Sequence, residues 1–184
     1  MKNLVTALVL AVAIPTMALA GEVSGEYRAG TKSGPTGFDF QAAGSVGKIN
    51  LGAEVESIQP KHEGAVADLF AVKAGPQLPE VAGFKPVANL QLGRSETTGK
   101  DFDFYGVDLG VSHSVFGPVS ASVEYRRRQG FKAENLKQDR LSAGLEMAFN
   151  KKTALTATYY RDRNDLVATN KDSNVIGVGL KHSF

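Results

Sequence analysis

Three histidines (His62, His113 and His182) and two closely spaced aspartates (Asp101 and Asp103) are the residues of this chain best suited to acid–base or metal chemistry. They do not converge. His62 falls in a polar connection, His113 beside a turn and His182 on the last alternating stretch, so no multi-histidine metal set is expected. No G-x-S-x-G elbow is present, and the chain has no cysteine. Asp101, Asp103 and His62 could meet at one mouth, as acid and base groups do in membrane proteases. Residues of these types in loops are ordinarily just solvated. The sequence therefore predicts no catalysis and no cofactor.

A second kind of chemistry is written in charges that alternate with apolar residues. If the apolar parity faces lipid, the other parity places Glu22, Glu26, Arg28, Asp39, Lys48, Glu54, Glu56, Asp108, Glu124, Arg126, Arg128, Arg140, Glu146 and Lys181 in a lumen. An Arg or Lys facing hydrocarbon near the midplane costs about 2–4 kcal/mol, so energy and pattern choose the same side. In a narrow cylinder these groups should pair across the lumen. They then act either as a structural plug or as the lining of a conduit for small charged solutes. Arg94, Arg127 and Arg161 stand at outer strand ends on the lipid-facing parity. Arg suits phosphate, and lipopolysaccharide phosphates sit at that level. Asp103, Asp139 and Asp172 begin the following strands with the same parity. The favoured expectation is three cross-strand pairs: Arg94–Asp103, Arg127–Asp139 and Arg161–Asp172.

Strands must position these groups. Ile176, Val178, Leu180, His182 and Phe184 occupy every second position of the last stretch, with Gly177, Gly179, Lys181 and Ser183 between. That period is one apolar and one small or polar face of a strand. Similar alternation predicts ten strands, near 22–30, 37–43, 48–57, 65–74, 87–95, 103–114, 119–128, 139–149, 153–162 and 173–184. The fourth is ambiguous between Leu69/Ala71 and Phe70/Val72 as its outward set. The proline-rich connection after it is long for a turn, which leaves eight strands as the alternative count. Short turns (GSVGK, VFGP, NKK) otherwise alternate with longer polar loops, as in bacterial barrels. A soluble sandwich is the competing fold for short alternating strands. A closed barrel is preferred because a final half-apolar strand has a first strand to meet.

Residues 1–20 read as a cleaved leader: Lys2, a short apolar run, then Ala18-Leu19-Ala20 as the cleavage signal. Residues 21–184 are then the barrel. The 21 Lys and Arg nearly balance the 19 Asp and Glu, which excludes the basic excess of a nucleic-acid binder. No tryptophan is present, so Tyr and Phe must supply any aromatic girdle.

The stretches DLFAVKAGPQLPEVAGFKPVANLQLG, DRLSAGLEMAF and NVIGVGLKHSF resemble the small, porin-like outer-membrane β-barrels of Gram-negative bacteria. The resemblance implies an outer-membrane location, contact with outer-membrane lipids including lipopolysaccharide, and Phe184 as the signal read by the barrel-assembly machinery. DRLSAGLEMAFNKKTALTATYYRDRNDL also resembles a region of the lipid A deacylase barrels. Their His-x-Ser pair is replaced here by Tyr159 and Arg161, so deacylation is not implied. The expected function is a small porin-like channel for small solutes, or a structural barrel closed by paired charges. The alternative is an adhesion barrel acting through its external loops.

Overall fold

Each apolar–polar alternation becomes one strand of an antiparallel meander. The computed structural model describes residues 20–31, 35–59, 67–97, 100–131, 137–164 and 172–184. His62 and residues 1–19 of the expected leader lie outside them. The strands are β1 (Ala20–Gly30), β2 (Thr36–Val46), β3 (Ile49–Gln59), β4 (Ala67–Pro76), β5 (Phe84–Thr97), β6 (Lys100–Phe116), β7 (Val119–Gly130), β8 (Lys137–Ala148), β9 (Thr153–Asn164) and β10 (Asp172–Ser183). Each pairs with its neighbours in sequence, and β1 pairs with β10 from Glu22↔Ser183 to Gly30↔Val175. The result is a closed ten-stranded β-barrel, not an eight-stranded one or a sandwich. Closure gives every strand two partners and leaves no edge.

Four turns crowd one end of the barrel, and the strand ends that the loops connect lie at the other. The proline-rich connection is itself a small hairpin. Ala82 and Gly83 both have positive φ (52° and 79°), the pattern of a type I′ turn. Val81 and Phe84 exchange both backbone hydrogen bonds at 2.9 Å. Gln77 N–H donates to Lys48 O at 2.8 Å, tying this hairpin to the neighbouring turn. Lys48, expected in the lumen, sits exposed in that β2–β3 turn. At the loop end β5 and β6 run on until only residues 98–99 separate them, where the sequence suggests a longer loop.

The outside is apolar and the inside is charged, the reverse of a water-soluble domain. Leu90, Leu92, Leu109, Leu141, Leu145, Val178 and Leu180 are all more than half exposed, while Arg128 and Glu54 are 0% exposed. A contiguous apolar belt of this extent is matched by hydrocarbon, not water. Phenylalanines (Phe84, Phe116, Phe149, Phe184) flank the belt near the turns. Tyr27, Tyr105, Tyr125 and Tyr159 stand toward the loop end. Two of those tyrosines have hydrogen-bonded hydroxyls: Tyr125 donates to Asp139 (2.6 Å) and Tyr159 to Asn174 (2.8 Å). This is the arrangement of a ring that is apolar at one side and wet at the other. Leu145→Arg, at the middle of the outward set of β8, is expected to lower stability by about 2–4 kcal/mol. The check is the urea midpoint of the protein refolded into vesicles.

Candidate functional site: the charged interior

Two glutamates on one strand organise the lumen. Glu54 and Glu56 lie two residues apart on β3, so both point inward. Glu54 receives Arg126 at 2.8 Å, Arg128 at 3.0 Å and Lys73 at 2.6 Å. Glu56 receives Arg28 at 2.5 Å and Arg140 at 2.9 Å, with Arg128 at 3.6 Å. Glu54 thus collects cations from β4 and β7, and Glu56 from β1, β7 and β8. Each carboxylate is placed to offset the burial of its guanidinium partners, since an isolated charge at this depth is not sustainable.

Around the hubs the lattice is filled by polar neighbours. Asp108 meets Arg126 at 2.8 Å, lies 3.4 Å from Lys73 and accepts from Gln91. Arg128 Nε donates to Gln91 Oε1 at 2.9 Å and Nη1 to Gln138 Oε1 at 3.3 Å. Arg140 grips Asp162 with two hydrogen bonds, 2.6 and 3.0 Å, the fork geometry that Lys cannot reproduce. Arg28 also pairs with Asp39, and with Glu26 at 2.7 Å. The Tyr160 ring lies between Arg28 (4.4 Å) and Arg140 (5.2 Å), and its hydroxyl donates to Glu26 at 2.6 Å. Cation–π contact thereby adds to the ionic layer.

One contact crosses the full diameter. Arg140 is on β8 and Glu56 on β3, five strands apart around a ten-strand ring, and so diametrically opposite. Their 2.9 Å contact spans the lumen. Toward the loop end an apolar cap of Leu69, Ala71 and Phe104, with Phe102 against it, adds a second obstruction. Gly93 makes room for it, because a Cβ there would run into the Phe104 ring. Toward the turn end the interior opens into a cavity of about 190 Å³ bordered by Gln41, Ser112, Ser122, Ser142 and Thr158 among others.

The structure places Glu26, Arg28, Asp39, Glu54, Glu56, Asp108, Arg126, Arg128 and Arg140 in this lattice. Glu124 sits at its edge, 3.4 Å from Arg126. Glu146 is separate: it pairs with Lys181, which also lies 3.6 Å from Glu22, in a half-exposed cluster near the turn-end mouth. Sequence reasoning passes over Lys73, Gln91, Gln138, Tyr160 and Asp162. The last two were accessible, because they hold the inward parity once Tyr159 is set outward.

On the outer rim, Arg94 meets Asp103 at 3.4 Å, Asp101 at 3.6 Å and Glu96 at 3.5 Å. Arg127 lies opposite Asp139 in register, but no ion pair forms there, and Asp139 accepts the Tyr125 hydroxyl instead. The expected Arg161–Asp172 pair needs correction: Asp172 faces Arg163 and Arg161 faces Asn174. The two described histidines, His113 and His182, stay apart. His113 stacks on Phe84 (4.5 Å) with Nδ1 2.9 Å from Gly83 O, and His182 meets Phe184 edge-on. Among the described residues no group of three or more His, Cys, Asp or Glu is placed to hold a metal.

No protein-family model and no curated protein matches the sequence. Solved structures do match in shape. The KdgM porin in complex with disordered oligogalacturonate is 12% identical, with a TM-score of 0.51 over 89% of this chain and 99% of its own. A bacterial polysaccharide outer-membrane secretin is 10% identical, with a TM-score of 0.52 over 88% of this chain and 64% of its own. An anion-selective porin from Comamonas acidovorans is 16% identical, with a TM-score of 0.44 over 90% of this chain and 56% of its own. The chain thus spans little more than half the length of that last porin. At such identities the likeness is one of fold: a closed antiparallel β-barrel of the kind these outer-membrane proteins share.

Proposed function

We propose that this chain is an outer-membrane β-barrel closed by its own side chains, a structural barrel and not a standing open pore. The observation that carries this reading is the Arg140–Glu56 contact across the full diameter. Porins that hold an aqueous channel have 16–18 strands, whereas here ten strands enclose a lumen that side chains can fill. Small solutes pass only if the lattice and its apolar cap rearrange. The role is non-catalytic. The acids at the mouth, Asp101 and Asp103, already face Arg94 and have no described base beside them. The exposed Phe184, whose N–H donates to Gly21 O at 3.0 Å, is the feature the assembly machinery engages. Refolded protein in a planar bilayer tests the reading. The expected record is silent, and sustained discrete openings of the unmodified chain would overturn it.

A further inference from the structure

The rim of the barrel is electrically lopsided, and this asymmetry points to a ligand. On the β4–β6 flank, register sets Asp68, Glu96 and Asp101 side by side on neighbouring strands. Arg94 is there surrounded by carboxylates within 3.4–3.6 Å. On the β7–β10 flank one outward row crosses four strands as Arg127, Asp139, Arg163 and Asp172. Arg161 lies one step nearer the apolar belt, between Leu141 and Asn174. Asp139 is taken by Tyr125, and no described carboxylate forms an ion pair with Arg127, Arg161 or Arg163.

We propose that this β7–β10 flank binds the phosphate of an anionic glycolipid in the outer leaflet, with Arg161 as its central contact. A cleft of about 230 Å³ opens beside Arg161, bordered by Tyr159, Asp172, Ser173 and Asn174. Asn174 Oδ1 is occupied by the Tyr159 hydroxyl at 2.8 Å, so its amide N–H groups are left as donors. Guanidinium and amide donors together are the set that a phosphate accepts. Leu141 stands level with Arg161, Ile176 and Leu145 lie one and two outward steps nearer the belt, and all three are about half exposed. An occupant with a phosphate above and hydrocarbon below fits both surfaces, and a free anion uses only one. Asp172 borders the same cleft and opposes the anion, which limits affinity.

The site rests on the outer-membrane reading, so insertion must be measured separately. The refolded barrel is first checked for vesicle insertion and for a heat-shifted gel band. Detergent-solubilised barrel is then titrated with diphosphoryl lipid A, its dephosphorylated form and inorganic phosphate, with native mass spectrometry counting adducts. The expected result is a one-to-one adduct with diphosphoryl lipid A alone. It should weaken at least roughly tenfold in the combined Arg127→Gln, Arg161→Gln, Arg163→Gln variant, the scale of one or more lost charge-assisted hydrogen bonds. Arg94→Gln should leave it unchanged, and Asp172→Asn should tighten it. All five substitutions are on the exposed rim and leave the interior lattice whole. An unchanged adduct in the triple variant, or none with folded wild-type protein, overturns the proposal. Equal binding of inorganic phosphate overturns the lipid assignment. A chain that folds but does not enter vesicles defeats the membrane reading itself, and the lipid site with it.

Discussion

Glu54→Ala is expected to destabilise the folded barrel by about 3–5 kcal/mol, the cost of removing one partner from a buried ionic cluster. Glu54 is 0% exposed and neutralises three cations at once: Arg126, Arg128 and Lys73, all within 3.0 Å. Deleting it leaves Arg128, also 0% exposed, with the neutral acceptors Gln91 and Gln138 and only the long 3.6 Å contact to Glu56 to balance its charge. Glu54→Gln should lose less, because its amide oxygen still accepts one hydrogen bond, but the charge is gone. Arg94→Ala is the control. It too removes an ion-paired residue, but on the exposed rim, where such pairs contribute about 0–1 kcal/mol. Urea unfolding in lipid vesicles, followed by tyrosine fluorescence and gel mobility, reads both. A loss for Glu54→Ala no larger than for Arg94→Ala would mean that water hydrates the stranded cations and that the lattice does not hold the barrel together.

The architecture was legible because lipid and lumen demand opposite chemistry from alternate residues. Wherever the lumen side is charged and the outer side apolar, as in Glu124/Arg126 against Val123/Tyr125, period two stands out. It fails on β4 for a physical reason. Leu69 and Ala71 face an apolar cap while Phe70 and Val72 face outward, so both parities look greasy. Lys73, on the same strand, was lost with the ambiguity. Alternation also says which groups are inside without saying which meet. Glu56 and Arg140 are 84 residues apart, and their contact depends on barrel closure and strand stagger, which no local pattern encodes.

The rim pairs show the same limit at shorter range. Hairpin register follows from turn geometry when the connection is tight. Arg94 and Asp103, across the two-residue gap between β5 and β6, fall opposite each other as expected. Between β9 and β10 the connection is longer, and counting from strand ends chooses Arg161 where the ladder chooses Arg163. That two-residue difference keeps the face unchanged, as period two requires, but moves a cation from the charged row to the edge of the apolar belt.

Removing the diametric tie without stranding a charge should open the barrel. The lattice has two halves, one gathered on Glu54 and the other on Glu56, and Arg140 belongs to the second through Glu56 and Asp162. Glu56→Ala with Arg140→Ala deletes both ends of the contact across the lumen. Asp162→Asn in the same chain removes the carboxylate that Arg140 would otherwise leave unpaired. Arg28 keeps Asp39 and Glu26, and in the Glu54 half Arg128 gives up its long 3.6 Å contact to Glu56 but keeps Glu54 at 3.0 Å. The triple variant should therefore fold, since losing both partners of a buried pair is far milder than losing one. In planar bilayers it is expected to give discrete openings where the parent chain gives none, because a water-filled path then joins the turn-end cavity to the small pocket bordered by Thr36, Tyr160 and Asp162 toward the loop end. A correctly folded triple variant that stays silent would place the closure in the apolar cap instead. Phe104→Ala, which removes the central ring of that cap and its 5.1 Å cation–π contact with Arg128 but leaves every ion pair in place, should then be the substitution that conducts.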